Sequence, residues 1–241
     1  MTGKVRYALA AALLIAAVMM AAGCGSSDGA GNSAANEDGA EYQIAKVENA
    51  DSVQDVDWES IETVPIDQVM WTPDAGIRAE GQICHDDENI YVHLKAKEKD
   101  IRAENTEPLS PVYEDSCLEF FFMRDGDDQY FNFEANPNGV LNIQYGLTKA
   151  DRMSLVREDA EEYFDIKAGR TDDGWGICYR IPMVFIHECC PDLSFSDTIR
   201  ANLYKCGNKT AHKHYISWKR VNTTLPNFHE PDAFGTMSFE Q

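Results

Sequence analysis

The sequence predicts an all-β fold, an antiparallel β-sandwich with a few short helical turns. Three observations carry this. Beyond residue 41 apolar residues recur with a period of two, and no long amphipathic helix stands out. Turn signals such as "DDEN", "RDGDD", "NPNG" and "TDDG" separate many of the alternating runs, which favours hairpins over parallel crossovers. The chain shows no internal repeat and no sign of a second domain, and about 200 residues suffice for one large β core.

The N-terminus is set apart from that domain. Lys4 and Arg6 precede an unbroken apolar run over 7–22, followed by Gly23 and Cys24, the layout of a secretory signal. The run is too short and too Ala-rich to read as a membrane span. "MAAGC" resembles a bacterial lipobox, so residues 1–23 are expected to be a lipoprotein signal peptide and Cys24 the lipidated residue. Residues 24–41, with "GSSDGAGNSAANEDGAE", contain almost nothing to bury and read as a flexible tether, leaving 42–241 as the folded domain. The expected location is the outer face of a bacterial membrane, at the cell surface, with the lipid as the sole membrane contact.

Removing Lys4 and Arg6 from the 21 basic residues, and none of the 41 acidic ones, moves the formal charge from −20 to −22. Nucleic acid is thereby excluded as a partner, because phosphate binding requires the opposite balance. Cys84, Cys117, Cys178, Cys189, Cys190 and Cys206 match no zinc spacing and read as buried thiols, with no pairing legible.

In chain order, strands are expected at 42–47, 77–84, 90–97, 116–123, 130–135, 140–145, 162–168, 176–182, 198–205, 214–220 and 236–239, with helical turns at 58–61 and 183–187. The hairpin "SCLEFFFMRDGDDQYFNFEAN" fixes its own register. If paired residue numbers sum to 253, Leu118, Phe120 and Phe122 share one wholly apolar face with Phe131, Phe133 and Ala135. Glu119 and Phe121 then share the other face with Asn132 and Glu134, whereas a slip of one residue would bury charge. After "NPNG", a sum of 276 continues the division: Leu141, Ile143 and Tyr145 inward, Asn142 and Gln144 outward.

A solvated outer face is the ordinary fate of such a pattern. Opposing Glu119 to Glu134 is not, since like charges across an antiparallel pair cost up to ~1 kcal/mol. A cation or a polyol is expected to bridge them. Paired carboxylates suit glycoside hydrolysis, oxygen coordination of Ca²⁺, or acceptance of sugar hydroxyls. No "GxSxG", "HExxH", P-loop or dinucleotide fingerprint accompanies them.

"VYEDSCLEFFF", "YFNFEANPNG", "LYKCGNKTAHKHYISW" and "NFHEPDAFGTMSF", in this order, resemble the bacterial family 9-like carbohydrate-binding domains. The resemblance runs over 42–241. It implies an immunoglobulin-like or DOMON-like sandwich of jelly-roll type and non-catalytic binding of a sugar or polysaccharide end. In that pattern two aromatic rings sandwich a sugar while carboxylate, amide and arginine groups hold its hydroxyls. Carried onto this sequence, Tyr113 matches the first ring, Glu119 the acidic residue, and Trp218 is the candidate second ring. Asn132 and Glu134 join them from the outer face, with Arg152 as the expected arginine and Arg102 behind it. The resemblance also implies structural calcium, assigned to no residue, and no other cofactor; "RDGDDQ" is chiefly a hairpin turn.

Trp175 alternates with Ile177, Tyr179 and Ile181 and reads as core; Trp58 and Trp71 read as core or edge packing. His212, His214 and His229 show no convergent zinc spacing. Two other uses of the fold stay open at this level: a glycosidase acting through Glu119 and Glu134, and a DOMON-like haem or redox carrier using Met123 or Met153 with a histidine.

Overall fold

The computed structural model describes residues 6–8 and 41–241 of the chain. The expected signal peptide, Cys24 and the tether lie outside the described residues, apart from 6–8 and Glu41. In chain order the strands are β1 (Arg6–Ala8), β2 (Tyr42–Lys46), β3 (Val64–Ile66), β4 (Gln68–Val69), β5 (Arg78–His85), β6 (Asn89–Lys97), β7 (Cys117–Arg124) and β8 (Tyr130–Ala135). There follow β9 (Leu141–Thr148), β10 (Asp151–Val156), β11 (Lys167–Arg170), β12 (Gly174–Pro182), β13 (Thr198–Gly207), β14 (His214–Ser217) and β15 (Gly235–Phe239). Among the described residues, two one-turn helices, α1 (Ala160–Tyr163) and α2 (Met183–Ile186), and three 3₁₀ turns complete the secondary structure.

One layer runs β1-β10-β9-β8-β7-β13-β15, with β14 flanking β13 and β4 flanking β14; the other runs β5-β6-β12-β11, with β3 on the free side of β5. The first strand of the domain stitches them. β2 pairs in parallel with β15 through Met237↔Tyr42 and with β5 through Ala45↔Cys84, so the sheet is mixed rather than wholly antiparallel.

Both registers expected from the hairpins are present. Glu119 faces Glu134, Phe120 faces Phe133, Asn132 faces Gln144, and Glu134 faces Asn142. The inward set of β7, β8 and β9 meets Val92, Leu94, Ile177 and Tyr179 of the other layer in the main core. Phe122 stacks on Phe131 and Phe133, with centroids 5.2 and 5.9 Å apart. Each fully buried Phe contributes about 1.5–3 kcal/mol, and a one-residue slip of β7 would exchange Leu118, Phe120 and Phe122 for Cys117, Glu119 and Phe121. That difference selects the register.

The run expected as a strand over 162–168 instead starts with α1 and becomes β11 only at Lys167, with Asp165 at φ 45° between them. Phe164 and Ile166 reach the core from this turn as they would have from a strand. The expected strand over 214–220 stops at Ser217. β3, β4 and β10, unassigned from sequence, are short pieces at the margins of the sheets.

The larger departure concerns the outer face of the first layer. Rather than facing solvent, Cys117, Phe121, Tyr130, Tyr204 and Cys206 are buried in a second apolar cluster beneath Val112, Val221, Phe228 and Phe234. The loops on either side of the sheet fold over it and leave part of its polar surface open.

Candidate functional site

β7 and β8 place Glu119 and Glu134 side by side on this covered face, and β13 sets Tyr204 beside Glu119 and Cys206 beside Cys117. Where the covering loops part, a hollow of about 300 Å³ remains. Its floor holds Glu119, Glu134 and Cys206; Arg152 and Lys149 bring positive charge to one side. Tyr113 stands in one wall, 44% exposed, while Tyr215 and Phe228 supply rings from β14 and the later loop. Asn208, Asn227 and His229 complete the polar rim.

Arg152 reaches the hollow because of a bulge. The β9–β10 register shifts between Asp151 and Arg152, and Arg152 pairs with Gly146. A Cβ on Gly146 would sit 2.2 Å from the Asp151 carbonyl oxygen, so only glycine permits this approach. The guanidinium then donates to Asn132 Oδ1 at 3.2 Å and lies 3.8 Å from Glu134 Oε1. Its Nη1 is also 2.9 Å from each ring nitrogen of His229. Burial, with Arg152 and Lys149 beside it, pushes the His229 pKa down to about 2, so the ring is neutral and accepts a hydrogen bond from the guanidinium N–H. Tyr130 fixes the same ring through a 2.9 Å contact between its hydroxyl and Nδ1.

The two carboxyls differ in their support. Glu134, 7% exposed, accepts from Asn132 Nδ2 at 2.9 Å. Burial raises its pKa, and the charges of Arg152 and Lys149 oppose that rise. Glu119, 3% exposed, accepts from the Cys206 thiol at 3.1 Å. Burial first, then the neighbouring Cys206 and Glu134, push its pKa well above the carboxylate range.

Of the residues expected from sequence, Tyr113, Glu119, Glu134 and Arg152 meet at this hollow. Asn132 is fully buried behind them and orients Glu134 and Arg152 without lining the opening. Trp218 does not join them. In β14, Tyr215 faces the second cluster and Ile216 the main core; Trp218, two residues past Ile216, packs against the main core as well. Lys219 Nζ lies 4.4 Å over its ring. The ring that β14 delivers to the hollow is therefore Tyr215, and odd parity in "HYISW" was the available signal. Phe228 lies within "NFHEP" with no signal to single it out, and His229 is named from sequence only in weighing a zinc site; no periodicity marks residues on an irregular loop.

Arg102 also lies elsewhere. It pairs with Asp115 at 3.3 Å and with Glu104, anchoring the loop that carries Tyr113. Trp175 is core, with its indole N–H donating to Glu98 at 3.3 Å, and Trp58 donates to the Val53 carbonyl at 2.9 Å. Phe121 packs under the loops against Tyr204 and His229. Met123 and Met153 belong to clusters on opposite sides of the sheet, and His212 lies at a different hollow from His229.

A ring-walled hollow with carboxyl acceptors on its floor and a guanidinium fork at one side matches a polyol: the ring face meets C–H groups while acceptors and donors meet hydroxyls.

The profile of carbohydrate-binding family 9 matches residues 50–239. Among solved structures, the chain is similar to a protein from Bacteroides uniformis ATCC 8492 classed as carbohydrate-binding, with 29% identity and a TM-score of 0.71, covering 82% of this chain and 98% of that one. It also shares its fold with a carbohydrate-binding module of family 9 from Caldicellulosiruptor kristjanssonii, solved with cellotriose and with glucose. For these, identity is 14%, the TM-scores are 0.57 and 0.56, and 83% and 82% of this chain and 93% and 95% of those chains are covered. No curated protein matches the chain.

Proposed function

Because the chain belongs to carbohydrate-binding family 9, we propose that the hollow over β7, β8 and β13 holds the end of a sugar chain without cleaving it. One observation carries the reading: Glu119, Glu134 and Arg152 line the same hollow as the exposed Tyr113, with Tyr215 and Phe228. Tyr113 offers a face for stacking, Glu119 and Glu134 accept from hydroxyls, and Arg152 donates to vicinal oxygens. A hollow of about 300 Å³ suits one or two sugar rings, so an end rather than an internal stretch is the fitting ligand.

The sugar class we propose is glucose-configured, on the strength of the cellotriose and glucose held by the Caldicellulosiruptor module. Affinity is expected to be modest, since hydroxyls exchange water hydrogen bonds for protein ones at a net gain of about 0.5–1.5 kcal/mol each. Cys24 and the segment that follows it support a further part of the proposal, display from a lipid anchor at the cell surface. Several tethered copies would then face one polymer and gain by effective concentration.

Calorimetric titration with glucose, cellobiose and cellotriose, alongside a broader glycan panel, tests the proposal. Saturable binding that weakens at least tenfold in both Tyr113→Ala and Glu119→Ala supports it. Absence of saturable binding to every glycan, or release of reducing sugar that depends on Glu119 and Glu134, overturns it.

A further inference from the structure

At the floor of the hollow, Glu119 stands beside two cysteines that sugar binding leaves without a role. Cys117 and Cys206 are directly opposed across β7 and β13, both as free thiols. Glu119 lies two residues along β7 on the same face, with its carboxyl 3.1 Å from Cys206 Sγ. The two sulfurs and a Glu119 oxygen all lie within 4.8 Å of one another. All three side chains are buried, Cys117 completely and the other two at 3% exposure, and both Glu119 and Cys206 border the hollow.

Buried cysteines most often serve as small apolar side chains. Here their surroundings give them a second capacity. Glu119 forms no ion pair with Lys or Arg among the described residues, whereas Glu134 beside it has Arg152 at 3.8 Å. The hydrogen-bond donor to Glu119 is a thiol, among the weakest that a protein offers. A buried carboxyl facing a second carboxyl, with two sulfurs at hand and no cation, is a site in need of positive charge.

We propose that Cys117, Cys206 and Glu119 form a binding site for a thiophilic divalent cation of the Zn²⁺ class, whose remaining coordination position faces the hollow. Two sulfurs and one carboxylate oxygen are three protein ligands, the number found where a fourth position stays open to solvent or ligand. Thiolate sulfur selects Zn²⁺, Cd²⁺ or Cu⁺ over Ca²⁺ and Mg²⁺, which require oxygen shells, so the site is chemically separate from any calcium site. Binding replaces the thiol protons, and the carboxyl proton where Glu119 holds one, with the metal; the displaced protons leave to solvent. The cation also screens Glu119 from Glu134.

A disulfide between the same cysteines is the competing fate. The observations favour the cation, because oxidation would remove the S–H that now donates to Glu119 and leave a buried carboxyl opposite Glu134 with less support than before. The site stands on the thiols and does not depend on the sugar reading.

The test titrates Cd²⁺ into full-length protein that has been reduced, stripped with chelator and desalted without oxygen. The expected result is one equivalent bound with an ultraviolet thiolate-to-metal charge-transfer band, and proton release that makes the calorimetric enthalpy depend on the buffer. The band should persist in a Cys189→Ser/Cys190→Ser double variant, which removes the other adjacent pair of thiols. Affinity should fall at least tenfold in Cys117→Ser and in Cys206→Ser, and should also fall in Glu119→Gln with the band retained. Should either cysteine variant fail to fold by near-ultraviolet circular dichroism, Co²⁺ in the wild-type protein gives the answer through visible bands of a four-coordinate ion with two sulfur ligands. No charge-transfer band, a band lost only in the Cys189→Ser/Cys190→Ser variant, or peptide mapping that finds a 117–206 disulfide re-forming after reduction would each overturn the proposal. Glucose titration on the same samples keeps this outcome separate from that of sugar binding.

Discussion

Replacing Glu119 by Gln should stabilise the metal-free protein at neutral pH, although it alters the most buried acidic group of the hollow. Glu119 and Glu134 are directly opposed across β7 and β8 and are 3% and 7% exposed. Directly opposed Cβ atoms lie roughly 5 Å apart. Were both ionised, two unit charges at about 5 Å would repel by about 3 kcal/mol at an effective dielectric constant near 20, an upper limit because the raised Glu119 pKa relieves part of it, whereas exposed like-charge pairs on sheets cost up to about 1 kcal/mol. A gain of about 1–3 kcal/mol brackets these limits, and for a domain of this size it corresponds to a rise in Tm of roughly 2–12 °C. Gln keeps an oxygen to accept from the Cys206 thiol, and its amide can donate to Glu134.

The gain must depend on pH in one direction. Burial raises the Glu119 pKa in the folded state, so the folded protein holds this proton over a pH range in which the unfolded chain has lost it. Stability from the protonated carboxyl is therefore fully present below the unfolded value of about 4.3 and is lost as pH rises through the folded pKa. Thermal unfolding of wild type and Glu119→Gln in chelator, at neutral pH and near pH 4, checks this. The difference should be large in the first case and close to zero in the second. A Gln variant less stable than wild type at neutral pH, or equally stabilised at both, would refute the reasoning.

Three further outcomes follow from the same geometry. Trp218→Ala should leave sugar affinity within about twofold while lowering stability by about 2–3 kcal/mol in urea unfolding, a little under the usual cost of truncating a fully buried Trp; a tenfold loss of affinity would return Trp218 to the binding site. Arg152→Met removes one of the two charges that, after burial, hold the His229 pKa near 2, so NMR titration of the His229 ring should show its pKa moving upward. Gly146→Ala should cost about 1–3 kcal/mol as an overpacked contact, because its Cβ would meet the Asp151 carbonyl. It should also weaken sugar binding by displacing Arg152, measured by calorimetry against Gly169→Ala, where a Cβ meets nothing.

The sequence by itself determined the strands and registers at the centre of this protein. Side chains alternate strictly along a strand, so the pattern of Phe120, Phe122, Phe131 and Phe133 admits one pairing that buries apolar groups together, and the opposition of Glu119 to Glu134 follows by arithmetic. The matching family segments were legible for the same reason, being stretches of local pattern. Tertiary structure alone decided what covers the far face. Whether Phe121 meets solvent or Phe228, whether β14 sends Tyr215 or Trp218 to the hollow, and how a bulge at Gly146 turns Arg152 inward all depend on loops and pairings between distant segments. Cys117 and Cys206, 89 positions apart, become one pair only when β7 and β13 align. Periodicity records which way a residue points within its own strand; it carries no record of which distant segment will come to lie above it.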